Sequence, residues 1–380
     1  MAETEIRSAV EAGLEASGLP GAAVAAVTPG GAIIETAVGR LTPGDPAPVT
    51  GDTVFWIASM TKAITSLVAL QLAAEGRVQL DEPVGRFLPE LAEPKVLEGF
   101  ETDGKPRLRP ARGPLTLRSL LLHTSGFGYD FASPELRQWI AHSGADTLGK
   151  GAPAGMPLMF DPGEGWLYGH GLDFAGLLIE AVLGQDLETA FAERVFGPLG
   201  MSQTSFALSA ERRARLAPMH MRLPDGGIAP LPFALPEPPF FQMGGAGLYS
   251  TAGDYLRFLR ALMDEAEILP PAELAQLMFT SQHTEPRPGA LTSSTPHLAR
   301  DFDAFPGQPT GWSLAFLVNL EPSSTGRSAG SLTWAGLSNC YYWLDPKRRV
   351  AGVMLAQLLP FADPGALALF ERFERAVYAS

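Results

Sequence analysis

The residues of this chain best placed to do chemistry are Ser59 and Lys62, a hydroxyl and an amine three positions apart. From Ala63 to Ala74 the only polar side chains are Thr65, Ser66 and Gln71. A segment apolar on nearly all sides is a buried helix, and Gly76 marks its end. The spacing therefore predicts that Ser59 and Lys62 share one face of the first turn of a central helix. A serine hydroxyl needs a neighbouring base to become a nucleophile. A lysine serves as that base once burial and the positive end of a helix lower its pKa. The four-residue string recurs by chance in unrelated chains; its position at the head of a wholly apolar helix makes it a candidate.

Two more stretches carry groups that could complete such a site. Trp166-Leu167-Tyr168-Gly169-His170 follows the turn Asp161-Pro162-Gly163-Glu164-Gly165. A loop tyrosine is more often an interface aromatic, but a phenol whose pKa is depressed beside a lysine ammonium can act as general base or proton shuttle. Thr333-Trp334-Ala335-Gly336-Leu337 ends an apolar strand. Its bland reading is a strand end with a turn glycine. Its functional reading is a strand edge whose Leu337 N–H joins that of Ser59 as an oxyanion hole.

Taken in order, these segments resemble the serine β-lactamase and penicillin-binding-protein superfamily, and most narrowly the β-lactamase-like carboxylesterases of family VIII. Ser59-Met60-Thr61-Lys62 matches S-x-x-K. Tyr168-Gly169-His170 falls where that family has Y-x-N or its variants, and Trp334-Ala335-Gly336 where β-lactamases have K-T-G and the esterases often W-x-G. Leu122-His123-Thr124-Ser125-Gly126, Phe160-Asp161-Pro162-Gly163 and Gly244-Gly245-Ala246-Gly247 look familial too, and the likeness runs from about Leu14 to Phe361. The resemblance implies Ser59, Lys62 and Tyr168 as catalytic residues, with Trp334, Gly336 and His170 at the substrate. It also implies a β-lactamase/transpeptidase-like α/β (α+β) fold: an antiparallel sheet flanked by N- and C-terminal helices, with an inserted mostly helical domain. Two departures matter. Trp334 replaces the cation that a K-T-G lysine offers a β-lactam carboxylate, and its apolar face suits a neutral ester. His170 replaces an asparagine and brings a titratable ring.

A second serine competes. Gly326-Arg327-Ser328-Ala329-Gly330 matches G-x-S-x-G, but that mechanism needs an acid and then a histidine downstream. The last histidine, His297, lies upstream, and Ser328 leads into a strand. His123, His142, His220, His283 and His297 show no metal-ligand spacing, and His123 reads as a hydrogen bonder that fixes its loop. A net charge of −13 argues against nucleic acid. The single Cys340 excludes an intrachain disulfide and reads as a small apolar residue in a strand. The acidic start Met1-Ala2-Glu3-Thr4-Glu5 lacks a secretion signal, and no apolar run reaches the roughly 18 residues of a membrane span. A cytoplasmic enzyme without cofactor or metal is expected, acting on a small-molecule ester, with no nucleic-acid or membrane partner.

The elements that must position these residues follow from periodicity. Helices are expected over about Glu5–Ser17, Thr116–Leu122, Glu135–Ile140, Leu172–Leu183, Leu187–Phe196, Thr251–Leu262, Pro270–Phe279 and Pro364–Tyr378. Thr251 and Asp254 read as a capping box. Strands are expected over Ala22–Val27, Ala32–Val38, Trp312–Leu320, Ser328–Trp334, Tyr341–Leu344 and Val350–Gln357. Residues 93–113 read as a surface excursion, with Pro153–Gly165 a loop. Leu223–Gly245 and Pro286–Gln308 read as long loops near the site that set acyl size. The order suggests one sheet built from both chain ends, over residues 1–85 and 246–380, with a helical domain at 86–245 and the active site between them.

These readings converge on a serine carboxylesterase that hydrolyses short-chain neutral esters through an acyl-enzyme on Ser59. Lys62 and Tyr168 share the proton transfer, and either could take the first proton. A β-lactamase or DD-peptidase-like amide hydrolase and an acyltransferase are alternatives within acyl chemistry. A non-catalytic binding or sensor protein is the alternative outside it.

Overall fold

The computed structural model describes residues 2–145, 155–237, 239–264 and 266–380. Residues 153 and 154 of the expected Pro153–Gly165 loop, and Pro238 of the 223–245 loop, lie outside them, as does Met1. The protein is built on a seven-stranded antiparallel sheet. Its strands in chain order are β1 (Gly21–Val27), β2 (Ile33–Gly39), β3 (Thr310–Trp312), β4 (Leu317–Asn319), β5 (Leu332–Gly336), β6 (Cys340–Asp345) and β7 (Val350–Leu355). Across the sheet they run β3-β4-β5-β6-β7-β1-β2. The two chain ends meet where β1 pairs β7, with Val24 opposite Met354. Every residue of β1, β6 and β7 is buried, so both faces of the sheet are covered. The N-terminal helix Ala2–Ser17 and the C-terminal helix Pro364–Ala379 pack together, and helix Ala252–Met263 packs on β1 and β7.

The sequence expectations differ from this in a few places. Trp312–Leu320 is two short strands, because the Ser313 hydroxyl accepts the N–H groups of Ala315 and Phe316 and folds the chain into a turn. Residues 95–110 form a surface hairpin, Lys95–Phe100 with Pro106–Pro110. The expected Leu187–Phe196 helix is α-helical to Phe191 and continues as a wider π-helical turn over Ala192–Phe196. The capping of Ala252–Met263 is one-sided: Thr251 accepts the Asp254 N–H, but the Asp254 carboxylate turns to Gln203, Thr204 and Arg257. The 223–245 stretch contains the strand Ile228–Pro230, which pairs with His220–Arg222, itself paired with Leu358–Leu359. This small sheet joins the 86–245 segment to the C-terminal end of the chain. The 286–308 excursion is pinned by pairing of Ala290–Leu291 with Phe302–Asp303.

The central helix is Thr61–Ala74, buried on nearly every side. It packs against Gly171–Leu183, the helix that Tyr168 and His170 lead into. No helix among the described residues is long and apolar enough to cross a membrane.

Candidate active site

Ser59 does not belong to the α-helix proper. It sits in a single 3₁₀ turn, Ala58–Met60, that feeds into it. The turn is held on all sides. Phe55–Trp56 pairs with Tyr249–Ser250, and the Trp56 carbonyl accepts Ser338 Oγ at 2.9 Å and Gln357 Nε2 at 3.0 Å. Thr61 Oγ1 donates to the Ala58 carbonyl at 2.7 Å, and Tyr255 OH to that of Met60 at 3.0 Å. Ala58 adopts φ +45°, a left-handed conformation that costs a non-glycine residue energy and persists only where its surroundings enforce it. The strain sits immediately before Ser59.

Gly336, at the end of β5, makes the next part of the arrangement possible. A Cβ there would stand 2.3 Å from the Ile57 carbonyl oxygen. Only glycine lets the strand end, and Leu337 after it, lie against the Ser59 turn. Gly169 does the same for the tyrosine loop, where a Cβ would meet the Phe127 carbonyl at 2.4 Å. That loop is also fixed by His123, whose Nδ1 accepts the Gly169 N–H at 3.4 Å, as its loop-fixing reading anticipated.

Lys62 is 2% exposed. Its Nζ donates to Ser59 Oγ at 3.1 Å, Tyr129 OH at 3.0 Å and the Gly245 carbonyl at 2.6 Å. All three acceptors are uncharged. Burial drives its pKa from the usual lysine value down to about 7, against a partial opposing pull from the Asp173 carboxylate. Lys62 thus exchanges its proton near neutrality, as a base for Ser59 must.

Tyr168 behaves differently from expectation. Its pKa is raised, not depressed: burial dominates, and hydrogen bonds from Ser59 and Trp334 offset only part of it. The ammonium of Lys62 stands 4.8 Å over the Tyr168 ring, so the cation meets the π face and not the phenolic oxygen alone. The phenol therefore holds its proton at neutral pH. Trp334 contributes more than an apolar surface, because its indole N–H donates to Tyr168 OH at 2.9 Å. His170 is buried, with Nδ1 2.8 Å from Asp173 Oδ2, and its Nε2 has no partner.

Two participants had no strong sequence signal. Tyr129 touches Lys62 directly, stacks edge-on against His170 at 4.3 Å and has its own pKa raised well above the usual value, chiefly by burial. Asp173 accepts from both His170 and the Gly245 N–H, the latter at 2.8 Å, and so ties the Tyr168 loop to the residue whose carbonyl holds Lys62. The glycine-bearing 123–128 loop and the Gly244–Gly247 run were the only hints of these contacts.

Ser59, Tyr129, Tyr168, His170, Trp334, Gly336 and Leu337 open onto one pocket. Its further walls include Trp56, Phe131, Leu291, Leu298 and Phe361. Among the described residues lining it, the one charged side chain is Asp130; no lysine or arginine takes part. The 286–308 excursion supplies Leu291 and Leu298, whereas the 223–245 stretch contributes mainly the Gly245 carbonyl and Phe233, which packs on Trp56 at 5.0 Å. Ser328 lies away from this pocket. Its backbone N–H donates to Asp345 and its carbonyl accepts from Asn319 and Ser331, the contacts of a turn residue. Cys340 is a buried strand residue of β6. No cluster of three or more histidine, cysteine or carboxylate side chains suited to a metal occurs among the described residues.

Comparison with known proteins agrees with this geometry. The Beta-lactamase family model matches residues 6–376. Monacolin J acid methylbutanoyltransferase of Aspergillus terreus is 34% identical over 349 residues, covering 87% of this chain and 83% of that protein. Lovastatin esterase of Penicillium rubens is 32% identical over 356 residues, covering 88% and 87%. A solved structure of a simvastatin synthase (LovD) mutant from Aspergillus terreus superposes with a TM-score of 0.87 at 32% identity, over 100% of this chain and 95% of that one. A model matched along nearly the whole chain, and a serine–lysine pair set at the head of a buried helix beside an antiparallel sheet, place the chain in the β-lactamase family, within the serine β-lactamase and penicillin-binding-protein superfamily.

Proposed function

We propose that this protein is a serine esterase that cleaves neutral carboxylic esters, short-chain ones included, through an acyl-enzyme on Ser59. The observation that carries the reading is the 3.1 Å contact between Ser59 Oγ and a Lys62 amine whose pKa is about 7, at the floor of a pocket with no cationic wall. Neutral Lys62 takes the Ser59 proton as Oγ attacks the ester carbonyl. Backbone N–H groups of Ser59 and Leu337 receive the developing oxyanion, each worth about 3 kcal/mol of barrier. The C–O bond to the alcohol then breaks. Tyr168, which keeps its proton and is oriented by Trp334, hands that proton to the leaving alkoxide and is refilled from Lys62. Water attacks the acyl-enzyme by the reverse route, and Ser59 recovers its proton. Trp334, Gly336 and His170 form the substrate walls. We place the reaction between a sheet region, residues 1–85 and 246–380, and a helical region, residues 86–245.

A second reading, transfer of the acyl group to an alcohol, is favoured by the similarity to a methylbutanoyltransferase and by apolar walls that would hold an alcohol better than water. Both readings share Ser59. Intact mass after a brief pulse of p-nitrophenyl butyrate should show a butyryl adduct that maps to Ser59 and is absent from Ser59→Ala. An adduct on Ser328, or full activity in Ser59→Ala, would overturn the mechanism. Adding 1-hexanol separates the readings: transfer yields hexyl butyrate in place of butyrate.

A further inference from the structure

A second cavity lies behind the wall of the Ser59 pocket. It opens to solvent and offers about 480 Å³ between the C-terminal helix, β5, the 302–308 segment and the 323–327 turn. Trp334 lines both spaces. Phe302, on the second, packs 6.2 Å from the Trp334 ring and 4.9 Å from that of Phe361, on the first. The mechanism uses none of the second cavity's other residues.

We propose that this cavity is a second binding site, for a neutral molecule with an apolar ring. The walls supply aromatic rings from Phe302, Phe305, Trp334, Tyr341 and Phe370. Flat apolar faces of that kind recognise a ring by stacking and burial. The carboxylates at the cavity are each answered by an arginine. Asp303 meets Arg287 at 2.9 Å, Glu371 lies 3.8 Å from Arg375, and Glu374 receives Arg327 Nε and Nη2 at 2.7 and 2.6 Å. The site thus presents no unbalanced charge, and a charged ligand would lose its hydration without gaining a counter-ion.

Arg327 is held within the cavity wall. It is 5% exposed, and its Nη1 has no hydrogen-bond partner. Ring faces of Phe305, Trp343 and Phe370 surround the guanidinium at 5.4 to 5.7 Å. They answer its charge, but they leave the Nη1 donors without an acceptor, which a buried donor group ordinarily has. Nη1 has almost no accessible surface, so these donors are turned into the wall and not toward a ligand.

Butyrophenone, a neutral aryl ketone that this chemistry does not cleave, tests the site by titration calorimetry on the full chain, a readout independent of Ser59. Ala304→Trp and Ser324→Trp, at a wall and at the exposed rim, each fill the second cavity; Leu298→Trp narrows the Ser59 pocket instead. The two filling variants should weaken a butyrophenone-binding event about tenfold or more, with hydrolysis of p-nitrophenyl butyrate within about twofold of wild type. Leu298→Trp should leave that event in place. Absence of butyrophenone binding, binding unaffected by both filling variants, or binding lost only in Leu298→Trp would overturn the proposal; the last would place the ketone in the Ser59 pocket alone.

Discussion

Lys62 and Arg327 are both cations withdrawn from water, 2% and 5% exposed, each beside one of the two cavities that share Trp334. What they face separates them. Arg327 meets the two oxygens of the Glu374 carboxylate, an ion pair that holds its charge in place. Lys62 meets a serine hydroxyl, a tyrosine hydroxyl and a carbonyl, with the nearest influential carboxylate, Asp173, acting only through space. Burial without a counter-ion makes a base. Burial with one makes a structural tie, which is costly to break from one side. The fold therefore distinguishes a cation that can shed its proton near neutrality from one that keeps it by the placement of a single carboxylate.

The largest effect comes from erasing that distinction at the reactive site. Lys62→Arg keeps a positive side chain but gives it a group that cannot act as a base near neutrality. Turnover of p-nitrophenyl butyrate should fall by about 10³-fold, in the range set by loss of a general base, with the protein still folded by circular dichroism. Retention of more than a tenth of wild-type activity would break the comparison. The opposite experiment concerns stability. Lys62 has a folded pKa lowered to about 7, so between that pH and the ordinary lysine pKa the unfolded chain binds a proton that the folded chain does not. Stability then rises with pH across that window, and the cost of burying the charge is felt in full below it. Lys62→Met should accordingly be inactive yet more stable at pH 6, by a few kcal/mol at most on the scale of roughly 1.4 kcal/mol per pKa unit.

At the second cation the order of single and double changes is the test. Glu374→Ala leaves Arg327 buried and uncompensated and should cost about 3–5 kcal/mol in urea unfolding. Replacing both residues by methionine should cost far less, since packing is kept and no charge is stranded. Equal losses in the single and double variants would show that Arg327 is not held as a buried ion pair.

Which parts of this contrast were legible in the sequence follows from how local each signal is. Ser59 and Lys62 lie within one turn of an apolar run, so periodicity alone places them together. Tyr168 and Leu337 came from motif order, and the structure sets both on the same pocket as Ser59. Tyr129 was invisible because its contact with Lys62 spans 67 positions, and no pattern around it differs from that of a loop aromatic. The same holds for Asp173, which reads as an ordinary first-turn acid of its helix until it is seen to join His170 to Gly245. The direction of the Tyr168 shift was misread for a related reason: a nearby lysine suggests a lowered pKa, and only the depth of burial shows that desolvation wins. Strands were found by hydrophobic runs, yet the run over Trp312–Leu320 hid a turn made by one hydroxyl, Ser313. The order of the seven strands depends on pairing between chain ends, which no local window contains.

A smaller change sharpens the account of Lys62. Asp173 is the group that raises its pKa against burial. Asp173→Asn removes that charge, so Lys62 should lose its proton at lower pH. The acid limb of the kcat/KM profile, rising through about pH 7 in wild type as the amine becomes neutral, should move to lower pH. Some activity should also be lost, because His170 and the Gly245 N–H lose a charged acceptor. A limb that moves upward or stays put would mean that the titration belongs to another group.

The smallest expected effect falls on the wall that the two cavities share. Trp334→Phe keeps most of the apolar surface and removes one hydrogen bond, that from the indole N–H to Tyr168 OH. A hydrogen bond to a neutral partner is worth about 1 kcal/mol, which corresponds to roughly fivefold in rate. The loss should appear in kcat and not in KM, because the bond steadies a proton donor and does not hold the ester. It should also shrink for esters whose alcohol leaves without help, so p-nitrophenyl butyrate should be less affected than ethyl butyrate. If instead KM rises with kcat unchanged, Trp334 acts on the substrate as a surface and Tyr168 needs no orienting partner. An equal loss for both esters would take the orienting bond out of the leaving-group step.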